Sequence, residues 1–404
     1  MPWQEICTVQ QRENLVLAVL GNKASVAEMC RRTGVSRKTA YKWIERFKAD
    51  GRAGLADQSR ARHEQPERTS DAVCDEILSV RAAHPTWGAR KLHKRLTEVL
   101  PASKVPATST IGSILAAAAL TAPVGKRRHP PLIRDAKWQA PREPNDLLTI
   151  DYKGWFKLGN GQQCHPLTVC DSASRSIRAI VAMPAPSLIG VLETMEGLFK
   201  RDGLPLCVRS DNGSPFAGNG LGKLSQFNVW LLRLGIVIDL ITPGRPGENG
   251  SHEQMHRVMN AETTRPPKAT MREQQSAFDG FRWYYDHERY HEGIDMKRPT
   301  ELYRPSPRQY VPIKPGQHPE ADSYAGHWRT QLVRANGTIV IEDQSVFIAQ
   351  PLAGCIVGLT EIDDRLWQLH FGRTLLGVID TSKKRLRVED LLATKDPSPT
   401  KLYP

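Results

Sequence analysis

Apolar positions recur at helical spacing over residues 10 to 50, and from Leu147 they give way to short runs of strand type. Leu15, Val16, Val19 and Leu20 form a first stripe. In SVAEMCRRTGVSRKTAYKWIERF, Ser25 and Glu28 have capping-box spacing. Gly34 stands where a tight turn between helices needs a residue tolerant of positive φ. Ser36 can cap a further helix whose Ala40, Ile44 and Phe47 fall at i, i+4 and i+7 and should face inward. The pattern predicts a helix-turn-helix within residues 1–55, followed by a polar linker over 51–69. A second helical unit is expected over 70–122. Ser70 would cap a helix with Val73, Ile77 and Val80 inward; Leu92, Leu96 and Leu100 make a second stripe; TSTIGSILAAAAL forms a third helix. It is helix-turn-helix-like, although its last helix carries no charge. Residues 123–146 are rich in proline and basic side chains and read as an extended connector.

The strand-like part has its own order. LLTIDYKGWFKL reads as a strand, Gly159-Asn160-Gly161 as a hairpin turn, and CHPLTVCD and SIRAIVAM as the next two strands. A helix from Ser187, a strand ending at RSDNG, a helix at WLLRLG, the strand IVIDLIT and a helix from Gly250 or Ser251 complete the order βββαβαβα. That is the order of a ribonuclease-H-like domain, a mixed sheet with helices on its faces, here over 147–310. A proline-containing link over 311–322 leads to six or so short strands within 323–392, expected to form a small β-barrel. The expected fold class is therefore multidomain: all-α helix-turn-helix units, an α/β core and a C-terminal barrel.

Composition adds a partner. The 404 residues hold 56 Lys and Arg against 43 Asp and Glu, a formal net charge of +13. Such an excess favours a polyanion such as nucleic acid, which gains by counterion release. The second helix of the first unit carries Arg37, Lys38, Tyr41, Lys42 and Arg46, suited to a major groove, and Lys126, Arg127 and Arg128 could lie along phosphates. The bland alternative for each is a solvated charged face. Seven scattered cysteines without a C-x-x-C pair argue against a disulfide framework or a zinc knuckle and point to the cytoplasm. The N-terminal residues lack a signal-peptide pattern, and the longest apolar run is too short to span a bilayer, so no membrane role is expected.

Three carboxylates occupy informative places: Asp151 inside an apolar strand, Asp211 at the end of another, and Glu253 in the first turns of a helix. A carboxylate within an apolar strand is costly unless a cation offsets its desolvation, and hard oxygen ligands suit Mg²⁺ or Mn²⁺. A competing pattern overlaps Glu253. HEQMH at 252 to 256 is H-E-x-x-H, with His252 and His256 as zinc ligands on one helix face, and HERYH at 287 to 291 repeats it. Neither has an obvious third ligand. A DNA-binding regulator with an inactive nuclease-like domain is a non-enzymatic alternative.

The motifs TIDYKG, RSDNGSPF and TPGRPGENGSHEQMHR, followed by YYDHERYHEG, resemble the catalytic core of bacterial insertion-sequence transposases of the DDE class, in the retroviral-integrase superfamily. The resemblance covers roughly residues 10 to 310. It implies that Asp151 and Asp211 match the family's two aspartates and Glu253 its glutamate, which follows Asn-Gly-x-x; Glu248 is then a decoy and Asp171 structural. The stretch between Asp211 and Glu253 exceeds the roughly 35 residues usual in such sequences, with variation expected in this loop. The family implies a nucleoid-associated bacterial enzyme. It would bind the terminal inverted repeats of its element as double-stranded DNA, cleave and join strands into target DNA with Mg²⁺ or Mn²⁺, and act as a homo-oligomer on paired ends. The C-terminal barrel would make DNA or subunit contacts.

Overall fold

The computed structural model describes residues 8–57, 69–121, 141–218, 221–242, 249–324, 326–363, 365–382 and 388–389. The chain divides into two compact units, residues 1–70 and 71–404.

The first unit holds helices α1 (Thr8–Leu20), α2 (Val26–Thr33) and α3 (Arg37–Asp50). Ser25 and Ser36 accept from the backbone N–H groups of Glu28 and Thr39, and Gly34 ends α2 at φ 70°. The expected capping box is only half formed, because the Glu28 carboxylate pairs with Arg32 on its own helix. Leu15, Val16, Ala40 and Ile44 are buried as expected, and Trp43 joins them. The supposed linker starts later than its polarity suggests. A 3₁₀ turn over Gly51–Leu55 sets Leu55 fully into this core, and Arg12 donates to the Leu55 carbonyl at 2.7 Å.

The second unit begins with α4 (Asp71–Ala83), α5 (Ala89–Val99) and α6 (Thr108–Ala117), packed around Val73, Ile77, Leu92, Leu96, Ile111 and Leu115. Trp87 in the turn before α5 is 1% exposed and donates through its indole N–H to Tyr284 Oη at 2.6 Å. It thereby fastens this bundle to the α/β core.

In that core, β1 (Leu147–Tyr152), β2 (Phe156–Lys157), β3 (Gln163–Asp171), β4 (Ile177–Met183), α7 (Leu188–Asp202), β5 (Cys207–Ser210), α8 (Gln226–Arg233), β6 (Val237–Leu240) and α9 (Gly250–Thr263) follow in the expected order. The sheet runs β4-β3-β1-β5-β6; β1 is antiparallel to β3 and parallel to β5, and β5 is parallel to β6. This is the ribonuclease-H-like arrangement. α7 and α8 cover one face around Val191, Met195, Phe199 and Phe227. α9 and α10 (Met271–His287) cover the other through Met255, Met259, Phe278 and Phe281. The long first strand is broken after Tyr152, where Gly154 takes φ 86° before β2 resumes.

After α11 (Pro299–Leu302) the chain enters β7 (Arg329–Leu332), β8 (Thr338–Ile341), β9 (Gln344–Phe347), β10 (Ile356–Asp363), β11 (Leu366–Phe371), β12 (Thr374–Asp380) and β13 (Val388–Glu389). Among the described residues these strands do not close into the expected barrel. They make an open sheet, β13-β12-β11-β10-β7, and a separate hairpin of β8 with β9. The physical reason is what covers the apolar face. Val357, Leu359, Leu369, Phe371 and Ile379 pack on the hairpin's Ile339, Ile341 and Val346 and on Leu224 and Val229 of the α/β core. A sheet whose face is buried by other elements gains nothing by curling on itself. Gly358 is required here, since a Cβ would lie 2.5 Å from the Tyr324 ring and 2.6 Å from that of Trp328.

Candidate functional site

The apolar residues that make β1 and β5 central strands also align two of the carboxylates. Leu147, Leu148 and Thr149 pair in parallel with Cys207, Val208 and Arg209. Carried forward at the same offset, that register sets Asp151 beside Asp211 on neighbouring strands, where the backbones are about 4.8 Å apart. Asp211 follows the last residue of β5, and its Oδ1 accepts from the Gly213 N–H at 3.0 Å. A Cβ at Gly213 would stand 3.2 and 3.3 Å from the two carboxylate oxygens, so the glycine keeps that carboxylate uncrowded. Asn212 donates to the Ile241 carbonyl at 2.6 Å and ties the end of β5 to the chain leaving β6. Glu253 lies in the first turn of α9 and is exposed. There the positive end of the helix dipole favours an anion.

The Asp151 carboxyl feels both of the other acids. Burial first, then the charge of Asp211, and to a smaller degree that of Glu253, push the Asp151 carboxyl up to about 7; Lys153 and the Tyr152 backbone N–H partly offset this. Among the described residues no three acidic, histidine or cysteine side chains are grouped so that they could hold a metal ion. The acids nevertheless offer only hard oxygen donors, and a half-buried carboxyl held in its neutral form first by burial and then by like charges is one that a divalent cation would ionise. Asn249, next to the start of α9, adds a buried Oδ1 that has no hydrogen-bond partner among the described residues. The donor set fits Mg²⁺ or Mn²⁺.

The histidines of HEQMH are turned into the protein, although His256 Nδ1 comes within 3.8 Å of Asp151 Oδ2. His252 and His256 are 1% and 4% exposed, and both place Nε2 on Thr168 Oγ1, at 2.6 and 2.8 Å. His252 Nδ1 meets Thr149 Oγ1 at 2.8 Å. Burial lowers their pKa values to about 3 and about 2, so both are neutral at ordinary pH. In HERYH, His287 stacks on Trp283 with Nδ1 on the Trp283 carbonyl, and His291 Nε2 faces the Tyr285 carbonyl. Neither pair is arranged as a zinc site. Asp171 is also taken: it is buried and accepts from the Asn145 N–H and from the N–H and hydroxyl of Ser174. Asp286, within YYDHERYHEG, accepts from Ser176 Oγ and Ile177 N and pins α10 to β4. Thr149, Lys153 and Thr168 went unnoticed in the sequence. Only the alternation that puts Thr149, Asp151 and Lys153 on one face of a strand could have flagged the first two.

On α3, Arg37, Lys38, Tyr41 and Lys42 are exposed, whereas Arg46 is half-buried with its guanidinium 5.2 Å from the Trp43 ring. Lys126, Arg127 and Arg128 lie outside the described residues, as does Glu248. In the second helical unit the basic side chains of α5 have partners within the protein: Arg90 pairs with Glu292 at 2.8 Å, and Arg95 with Glu98 at 3.5 Å. Lys91 is pushed down to about 8 by burial. No described helix is long and apolar enough to cross a membrane.

Comparison with known proteins places these features. A helix-turn-helix domain family matches residues 11–63, a homeodomain-like domain family residues 39–115, and an integrase core domain family residues 234–299. An uncharacterized 39.2 kDa protein of insertion element IS476 from Xanthomonas euvesicatoria is 24% identical over 232 residues, covering 57% of this chain and 64% of that protein. An uncharacterized 31.7 kDa protein of insertion element IS407 from Burkholderia multivorans is 24% identical over 178 residues, covering 44% of this chain and 62% of that protein. The chain thus spans less than two thirds of either relative's length. Among solved structures, the HTLV-2 integrase catalytic core domain in complex with magnesium aligns with a TM-score of 0.31 and 13% identity over 40% of this chain and 98% of that one. A simian T-cell lymphotropic virus intasome chain aligns with a TM-score of 0.35 and 15% identity over 74% and 97%.

Proposed function

We propose that this chain, which carries helix-turn-helix domains and an integrase core domain and is related to insertion-element proteins, is a DDE transposase that cleaves and joins DNA strands at the ends of its element. The observation that carries the reading is the shared register of β1 and β5, which sets Asp151 beside Asp211 where Glu253 also acts on the Asp151 carboxyl. Asp151, Asp211 and Glu253 would hold Mg²⁺ or Mn²⁺. Bound there, the cation would supply activation of the attacking oxygen and stabilisation of the leaving 3′-oxygen. The protein's own work is to bind and place DNA. Arg37, Lys38, Tyr41 and Lys42 are offered to base edges in the major groove of the terminal inverted repeats, and Arg46, Lys126, Arg127 and Arg128 to phosphates. The division of labour is then a reading head over 1–55, a second helical unit over 70–122, a basic connector over 123–146, the catalytic core over 147–310 and a C-terminal β module over 323–392, working as a homo-oligomer on paired ends and target DNA.

The test is cleavage of a labelled element end by single variants. Asp151→Asn, Asp211→Asn and Glu253→Gln keep size and hydrogen bonding but remove the charge a cation needs. Each should reduce cleavage and joining by at least about a thousandfold while end binding and folding persist. Near-normal cleavage by either aspartate variant would sink the reading.

A further inference from the structure

The two histidines of HEQMH have no part in the proposed chemistry, yet both are buried on one hydroxyl. Thr168 lies in β3 directly opposite Asp151, and its Oγ1 donates to the Asp151 carbonyl at 2.9 Å. A threonine hydroxyl has one proton, so with that proton spent it can only accept from its other two neighbours. These are Nε2 of His252 at 2.6 Å and Nε2 of His256 at 2.8 Å. Both imidazoles therefore carry their proton on Nε2. His252 Nδ1 is then an acceptor, and the Thr149 hydroxyl meets it at 2.8 Å rather than bonding the Cys170 carbonyl at 3.3 Å. On the far side, His256 Nδ1 stands 3.8 Å from Asp151 Oδ2. The hydroxyl thus has its full set of three partners: one from β1 and two, one turn apart, from α9. Glu253 is the residue next to His252 and points outward while His252 points in.

We propose that Thr168 is a positioning residue: its hydroxyl fastens the first turns of α9 to the backbone of Asp151 and so sets the distance between the Asp151 and Glu253 carboxylates. This rests on the reading of those carboxylates as a metal-holding unit. Without such a tie the first turns of α9 could rotate or slide against the sheet and carry Glu253 with them. A hydrogen-bonded hub differs from ordinary packing because it specifies rotation about the helix axis as well as depth. The H-E-x-x-H spacing then has a reason unrelated to zinc: positions i and i+4 of a helix reach a single point, and here the point is an oxygen of the neighbouring strand.

The experiment measures Mn²⁺ binding to the full chain by electron paramagnetic resonance without DNA, alongside end cleavage and melting temperature. Thr168→Val keeps the shape and removes the hydroxyl, and Thr168→Ser keeps the hydroxyl. Thr168→Val should weaken Mn²⁺ binding on the order of 10- to 100-fold, as loss of a residue supporting metal ligands does, with end binding unchanged. Thr168→Ser should restore Mn²⁺ binding and cleavage. Should Thr168→Val not fold, His256→Gln, which retains one N–H donor near the same place, should show a smaller loss in the same direction. A folded Thr168→Val with wild-type Mn²⁺ affinity and cleavage overturns the proposal, as does a Thr168→Ser as defective as the valine variant. Asp151→Asn and Glu253→Gln are run in parallel: if they also bind Mn²⁺ normally the carboxylate reading fails, whereas their collapse beside a normal Thr168→Val sinks the positioning role alone.

Discussion

Asp151 ionises near 7 in the folded chain, against an ordinary value of 3.8. Its charged form is therefore disfavoured by folding. Below about pH 4 the group has no effect on stability, and as pH rises from about 4 to about 7 the metal-free protein loses up to roughly 4 kcal/mol, then stays at that level. Asp151→Asn should accordingly raise the melting temperature in EDTA by several degrees at pH 8 and by much less at pH 5. His252, His256 and His291, buried with lowered pKa values, act the other way: the stability they allow is present above about 6.5 and is lost as pH falls. They are common to wild type and variant, so the difference between the two isolates Asp151. Equal gains at both pH values would show that Asp151 is not held neutral by burial and its neighbours. The residue that costs stability is the one the proposed reaction uses, which is a common relation between strain and function.

At the scale of elements, α3 presents two kinds of cation. Lys42 and Arg46, with Arg12 of α1, have their charges 4.9, 5.2 and 4.0 Å from the Trp43 ring, and Lys42 is exposed there; Arg37 and Lys38 stand exposed at the helix start, the part of a recognition helix that reaches base edges. Replacing Arg37 and Lys38 together by Ala should weaken binding to the element end about 100-fold while weakening binding to random DNA about tenfold or less. Gel-shift titrations at fixed salt with both DNAs decide this, and equal losses would restrict the pair to phosphate contacts. α5 contrasts with α3. Its Arg90 and Arg95 are engaged by Glu292 and Glu98, and Glu98 also accepts from Tyr290 and Arg298. Charge along a helix is visible in the sequence, but what pairs with it is not, because Glu292, the partner of Arg90, and Arg298, the partner of Glu98, are some 200 residues away in the chain. The same limit applies to Leu55, which stands alone among small and charged residues in the stretch GRAGLAD and among apolar ones in space.

At the scale of the whole molecule, the proposed function gives one set of carboxylates to one DNA end, and an element has two ends. Mixing Asp211→Asn subunits with wild type should therefore lower strand transfer more steeply than dilution. For a dimer in which both sites must act, an equal mixture would retain about a quarter of the activity, against about a half for independent subunits. A linear fall measured over a series of ratios would argue for independent action.

The sequence by itself determined the order of strands and helices in the α/β core, the helix-turn-helix of the first unit, and the three acids worth testing. These are local or periodic properties: strands with buried faces need runs of apolar residues, a turn needs Gly34, and an acid within TIDYKG stands out against its neighbours. Tertiary structure alone decided that Asp151 and Asp211 are adjacent, because strand register is a long-range property set by packing on both faces of the sheet. It also decided that His252 and His256 face Thr168 rather than a metal, since an H-E-x-x-H pattern specifies a helix face but not what that face meets. The C-terminal strands make the same point. Their alternation foretold strands, but whether a sheet closes on itself or lies open depends on what else can bury its apolar face, and here the β8–β9 hairpin and the residues around α8 do so.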